Sequence, residues 1–282
     1  MDFEFSPPLP LSGILGTDKG VLTMCLVLFN HGDHPVYPLI VAANRDEFYD
    51  RPAAPAHIWE QPAGLVAGKD LTGGGTWLGL THSGRFAALT NVRRPDLPPP
   101  PGARTRGGIV TDLLDDSVPM EKTLERLSER GNQYDLYNVI AGTPGRLMYE
   151  TNQSTGGFRE IPPGTHGLSN AMLNTPWPKV EHGVERLSRI ADDVCPIDPD
   201  ALFEILSMAE PFPDPRLPDT GVGPDLERSL SPLFIRMSGY GTRCQTVILV
   251  DRDGRATFIE RSFVGGKFTS EERFTFQIRP RK

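Results

Sequence analysis

Hydrophobic positions along this chain gather into short runs more often than into long helical stripes. After a Pro- and Gly-rich opening with no clear period, CLVLFN at 25–30 and YPLIVAAN at 37–44 are rich in branched apolar residues and predict two strands joined by the polar turn HGDHP. WLGLT at 77–81 and RFAALTN at 85–91, separated by His82-Ser83-Gly84, predict a second hairpin. RRPDLPPPPGAR at 93–104 is too proline-rich for helix or central strand and reads as an exposed connection. Helical spacing follows at 105–116 and 119–130, where Leu124 and Leu127 stand among charged neighbours.

Strand patterns return at LYNVIAG, RLMYE and GLSN (136–170), followed by helices at 176–192 and 199–209. Asp198-Pro199-Asp200 places acid and proline where a helix N-terminus favours them. A polar loop at 211–224 leads to QTVILVD, ATFIERSF and RFTFQI, three strand patterns with DRDG as a hairpin turn. Strands first, helices in the middle and strands last predict an α+β fold whose terminal strands share a sheet, and a layered sandwich fits that order. One domain over 24–282 is expected, with residues 1–23 a disordered or non-native extension.

Composition narrows the function classes. The 38% hydrophobic and 23% charged residues describe an ordinary soluble chain, and 29 Gly with 28 Pro imply many turns. A net charge of -7 offers no broad attraction to nucleic acid or anionic lipid. No apolar run reaches bilayer length and the first twenty residues lack the pattern of a signal peptide, so a cytoplasmic protein without an integral membrane segment is expected. Cys25, Cys195 and Cys244 are too few and scattered for a disulfide framework. His31 and His34 read as part of a solvated turn, and neither a metal site nor a cofactor is expected.

GLVAGKD at 64–70 lacks the spacing of a P-loop, and GGGTW at 73–77 lacks a dinucleotide context, so those glycines are assigned to a tight turn with close backbone packing. No HExxH or GxSxG pattern occurs. Nucleophilic cysteine chemistry remains. Met24-Cys25 stands directly ahead of the first core strand, and a cysteine exposed as residue one has its own α-amine, titrating near ~7.7–8.0, beside its thiol, near ~8.5, as a local base. That use requires Met24 to be gone, and the simplest route makes Met24 the start, with residues 1–23 an upstream start assignment.

MCLVLFN, LIVAANRDEFYDRPAAPAHIW, GGGTWLGLTHSGRFAALTN, GTHGLSNAMLNTPWPKV and GYGTRCQTVILVDRDG with FIERSF, spread in order over about 24–262, resemble the signature blocks of the family named for its Asn-Arg-Asp-Glu motif, the transport-and-Golgi-organisation family 2. The resemblance implies the four-layer αββα sandwich of the N-terminal-nucleophile hydrolases, a group that includes the bile-salt and penicillin V amidases. By that resemblance Cys25 matches the nucleophile, Asn91 an oxyanion-hole donor, Asn170 a second asparagine near the nucleophile and Arg243 a late arginine beside the thiolate, with Asp46 holding the α-amine. The same residues have plainer readings: a buried strand cysteine, strand-end asparagines and an ion-pair partner.

Asn44, Arg45, Arg51 and Trp77 are candidate substrate contacts. For Arg51 the alternative is bracing the loop at Pro52, and for Trp77 it is core or rim packing. If 39–47 stays extended, Asn44 and Asp46 share one face and Arg45 and Glu47 the other; the expectation places Asn44 and Asp46 on the nucleophile's side. The function these residues imply is a cysteine amidohydrolase acting on an amide or ester of a small or acyl-bearing molecule. The rival is a non-catalytic binding or trafficking protein on the same scaffold, handling haem or acyl-lipid, as the family has been associated with both.

Overall fold

Met24–His31 forms β1 and Leu39–Phe48 forms β2 in the computed structural model, which describes residues 24–194 and 196–279. The expectations for residues 1–23 and for Cys195 lie outside the described residues. β1 and β2 pair antiparallel with Cys25 opposite Arg45 and Met24 opposite Asp46. All of β1, and all of β2 but its last residue, is buried. Both faces of these strands are covered, so their apolar runs are continuous instead of alternating. The turn between them corrects an expectation: His31 and His34 are buried, not solvated. His34 Nδ1 accepts from the backbone N–H groups of Val36 and Tyr37, and His31 Nε2 lies 2.9 Å from the Pro162 carbonyl oxygen, so both rings satisfy backbone groups at the turn.

The chain continues through β3 (Ala53–Ile58), β4 (Leu65–Asp70), β5 (Leu78–Thr81), β6 (Phe86–Asn91), α1 (Gly107–Leu114) and α2 (Met120–Arg130). Then come β7 (Tyr137–Thr143), β8 (Arg146–Thr151), β9 (Arg159–Glu160), β10 (Gly164–Leu168), α3 (Pro178–Ala191) and α4 (Pro199–Leu206). A short α5 (Pro224–Ser229) precedes β11 (Tyr240–Val250), β12 (Arg255–Val264) and β13 (Lys267–Gln277). The first sheet has the order β10-β1-β2-β11-β12-β13, so the terminal strands do share a sheet, and the second runs β3 through β9 in sequence order.

Three cores fix the layers. Val27, Phe29, Val41 and Ile248 of the first sheet meet Val66, Leu80, Phe86 and Ile140 of the second. The outer face of the first sheet, through Leu26, Leu28, Ile40 and Ala42, packs on Val180 and Leu187 of α3 and Leu202 and Phe203 of α4. On the far side, Ala67, Ala87 and Val139 pack on Ile109 and Leu113 of α1 and Leu124 of α2. The result is the four-layer αββα sandwich. A smaller core seats Met24 among Leu226, Leu230, Ile235 and Tyr240.

Candidate functional site

Parity along β1 and β2 decides which side chains can meet. Cys25 shares its face with Val27 and Phe29, toward the second sheet, and its register partner Arg45 faces the same way, with Glu47 two residues on. Beyond the end of the inter-sheet core these three open onto a cavity of about 590 Å³. Asn91, Trp77 and Arg51 also line it, as do Asp70, Arg106, Arg243, Cys244 and Glu260. The expected facing of the Asn-Arg-Asp-Glu segment is therefore corrected: Arg45 and Glu47 share the side of Cys25, while Asn44 and Asp46 face the α3/α4 layer.

Asn44 does not line the cavity. It is fully buried, and its Nδ2 donates to the carbonyl oxygens of Leu206 at 3.0 Å and Leu233 at 2.7 Å, tying the helix layer to β2. Asp46 is also fully buried; Thr242 donates to its Oδ1 at 2.6 Å, while its Oδ2 has no hydrogen-bond partner among the described residues. Burial holds the Asp46 carboxyl above its usual range, against the pull of Lys179 and the Thr242 hydrogen bond.

The charges in the cavity are organised around Asp70. Arg45 reaches it at 3.2 Å and Arg51 at 2.7 Å, and both guanidinium groups also approach Glu47, at 3.6 and 3.5 Å. Arg106 pairs with Asp135 at 2.9 Å. Arg243 is the extra residue of a bulge: Thr242 pairs with Asp46 and Cys244 with Arg45, which re-aims the arginine between them. Its Nη1 donates to the carbonyl oxygens of Phe48, Tyr49 and Arg51, fastening the segment that follows β2.

Cys25 is enclosed. Burial, and then the Asp46 charge, push its thiol up to about 12, opposed by the Arg45 guanidinium and by the Asp46 backbone N–H. Of the cations, Arg45 lowers this thiol most, and Lys179 and Arg106 also interact electrostatically with it. Ser169 donates to the Cys25 carbonyl oxygen at 3.1 Å and to Asn170 Oδ1 at 3.1 Å, and Asn170 Nδ2 donates to the Asn91 carbonyl oxygen at 3.0 Å. The two asparagines are thereby tied together beside Cys25, Asn91 on the cavity wall and Asn170 buried behind it.

Four residues around the site were not singled out by motif. Cys244, which reads as a plain strand cysteine, lines the cavity, and burial raises its thiol well above the usual value. Glu260, the glutamate of FIERSF, is buried and pushed up to about 7 by burial. Asp70 ends β4, inside the segment set aside as no P-loop. Lys179, from TPWPKV, is buried behind Asp46, a placement signalled only by its apolar neighbours Trp177 and Val180. Of the glycines of GGGTW, Gly75 serves close packing, since a side chain there would overlap the Gly107 carbonyl at the start of α1, and Gly74 serves the turn with a positive φ of 73°. Among the described residues no group of three or more His, Cys, Asp or Glu could hold a metal ion.

An αββα sandwich whose first strand presents a cysteine to a cavity at the end of the two sheets has the architecture of the N-terminal-nucleophile hydrolase type. The chain belongs to the Transport and Golgi organisation 2 family, whose model matches residues 24–265. It is 37% identical over 278 residues to the human Transport and Golgi organization protein 2 homolog, covering 90% of this chain and 99% of the human protein. To the Drosophila melanogaster Transport and Golgi organization protein 2 it is 29% identical over 275 residues, covering 86% of this chain and 93% of the fly protein. Among solved structures, the Caenorhabditis elegans N-acylethanolamine-hydrolyzing acid amidase ortholog aligns with a TM-score of 0.44 at 10% identity, over 80% of this chain and 92% of that one.

Proposed function

We propose that the protein is a cysteine amidohydrolase whose nucleophile, Cys25, works as an amino-terminal residue on an amide or ester of a small or acyl-bearing molecule. The observation that carries this reading is the shared cavity: Cys25, Arg45 and Asn91 converge on one space of about 590 Å³, large enough for a small ligand. With Met24 in place the Cys25 nitrogen is an amide, which accepts no proton, and the thiol is held protonated. With Met24 removed, this reading assigns the α-amine to Asp46, whose buried Oδ2 has no hydrogen-bond partner among the described residues.

The amine then takes the Sγ proton as sulfur bonds to the substrate carbonyl carbon, and the Asn91 amide stabilises the oxyanion. Collapse breaks the C–N or C–O bond, the ammonium protonates the leaving group, and a thioester remains on Cys25. Water, deprotonated by the amine, attacks that thioester; the proton returns to sulfur and the acid departs. Free thiols at Cys25 and Cys244 fit the cytoplasm as its compartment. No helix among the described residues is long and apolar enough to cross a membrane.

The test compares the full chain with one begun at Met24, whose mass should show Cys25 as the first residue. Iodoacetamide at pH 7 should label Cys25 in the second form well ahead of Cys195 and Cys244, and Cys25→Ser should abolish that labelling while keeping the fold. Equal labelling of Cys25 in both forms would sink the amine-assisted mechanism. The rival reading, a non-catalytic carrier of haem or acyl-lipid, is supported by the protonated, enclosed thiol of the Met24-bearing chain, and ligand binding that ignores the state of the Cys25 nitrogen would favour it.

A further inference from the structure

An α-amine whose only charged neighbour is a carboxylate is stabilised as ammonium, and an ammonium cannot act as a base. Asp46 alone would therefore anchor the Cys25 amine and at the same time disable it. The structure contains a counterweight. Lys179, second residue of α3, is buried on the same side of β2 as Asp46, with its Nζ donating to the Leu230 carbonyl oxygen at 3.2 Å. Among the described residues it has no carboxylate within ion-pair distance. The charges acting on it, in order, are those of Asp46, Arg93, Cys25 and Glu227.

We propose that Lys179 is a positioning residue for the nucleophile: a buried cation that keeps Asp46 ionised and balances its charge, so that the released Cys25 amine stays neutral and able to accept the thiol proton. This rests on the amino-terminal-nucleophile reading above. The neighbouring elements support the balance. From α5, Glu227 closes an ion pair with Arg93 at 2.8 Å, and the Arg93 guanidinium stacks on Trp177, 4.5 Å from the ring centroid. That pair is neutral as a unit. From β2, Arg45 and Glu47 approach each other across the strand's other face. From β11, Tyr240 presents a hydroxyl that accepts from the Met24 N–H at 3.0 Å and is held protonated by burial, and Thr242 presents an uncharged one to Asp46. Among the groups named here, Lys179 and Asp46 are the two charges on this side with no ion-pair partner among the described residues.

Burial lowers the Lys179 ammonium below its usual range while Asp46 opposes that shift, and burial raises Asp46 while Lys179 opposes it. Each group thus favours the charged form of the other, which is the behaviour the proposal needs.

The experiment is the pH–rate profile of Cys25 alkylation by iodoacetamide, in the full chain and in the chain begun at Met24, with folding checked by circular dichroism. The profile's inflection belongs to the thiol–amine pair as a unit. In the Met24-begun chain, Lys179→Met should move the inflection up by about one unit or more, slowing labelling at pH 7 roughly tenfold. Lys179→Arg keeps the charge and should leave the inflection near its original place. The double variant Lys179→Met/Asp46→Asn, with both charges gone, should return it toward the original position. A structural role would show instead as lower stability with the inflection unmoved, and that outcome overturns the proposal. If Lys179→Met does not fold, Asp46→Asn alone leaves the lysine unbalanced and should move the inflection down; no movement there also overturns it. Should the Met24-begun chain label no faster than the full chain before any substitution, the nucleophile reading itself has failed, a result distinct from a fast profile that ignores Lys179.

Discussion

Glu260 accepts from the Ala56 N–H at 2.7 Å and reaches the Thr246 hydroxyl at 3.5 Å, and burial pushes its carboxyl up to about 7. Its folded pKa is raised, so the folded state binds this proton more tightly than the unfolded chain does. The stabilisation is complete below the unfolded value near ~4.5 and is lost as pH rises through about 7, a swing on the order of 3 kcal/mol. Glu260→Gln should flatten that window: melting temperatures at pH 5 and pH 8 should lie closer together in the variant than in the parent, and parallel shifts in both would refute the assignment. Sequence could pair Arg45 with Glu47 and Asn44 with Asp46, because strand parity is arithmetic. It could not say which pair meets Cys25, because that depends on the β1/β2 register, in which Cys25 lies opposite Arg45. Lys179 was hidden for a related reason: lysine is ordinarily a surface residue, and only a tertiary neighbour such as Asp46 explains burying it.

Elements were legible where their apolar pattern was strong. The hairpin turns at 82–84 and 251–254, the paired helices α1 and α2, and the Asp198 cap, which accepts from the Asp200 N–H at 3.0 Å, all follow from local rules. β3 and β4 did not stand out. Pro55 interrupts β3, tolerable because that strand is the edge of its sheet, and the register jumps between Ala54 and His57 around it. Those two strands carry Asp70 and the wall of alanines beside the cavity, so part of the site was unread along with them. The loop expected at 211–224 is present, broken by one 3-10 turn at Asp214–Arg216, and ends at α5, whose Leu226 helps seat Met24. The glycine-rich turn before β5 shows how tightly such elements are set. Gly75→Ala would drive a methyl group into the Gly107 carbonyl, where backbone, not a flexible side chain, must yield. Loss of at least about 2 kcal/mol is expected in denaturant unfolding, and a neutral result would mean the α1 start can move freely.

At the scale of the whole molecule, layer order followed from strands at both ends of the chain with helices between them, while the split into two sheets required the pairing of β6 with β7 in place of β1. The same scale brings out a contrast in charge. The chain carries -7 overall, yet its cavity is lined by six cations, Arg45, Arg51, Lys69, Arg104, Arg106 and Arg243, and four carboxyl groups, Glu47, Asp70, Asp135 and Glu260. Three of those carboxylates are engaged by Arg45, Arg51 and Arg106, and Glu260 is held partly neutral. Lys69, Arg104 and Arg243 have no carboxylate within ion-pair distance among the described residues, so the local field should draw anions inward against the sign of the molecule, and low-dielectric walls concentrate such a field. Two alkylating reagents of similar size separate this from ordinary thiol reactivity. In the chain begun at Met24, lowering salt from above 0.1 M, where the Debye length is ~10 Å, should speed Cys25 labelling by iodoacetate relative to iodoacetamide. A free thiolate in solution repels iodoacetate and should show the opposite trend. Lys69→Met or Arg104→Met should weaken the effect in proportion to the charge removed; a ratio that falls at low salt would mean that the overall negative charge, and not the lining of the cavity, governs approach to Cys25.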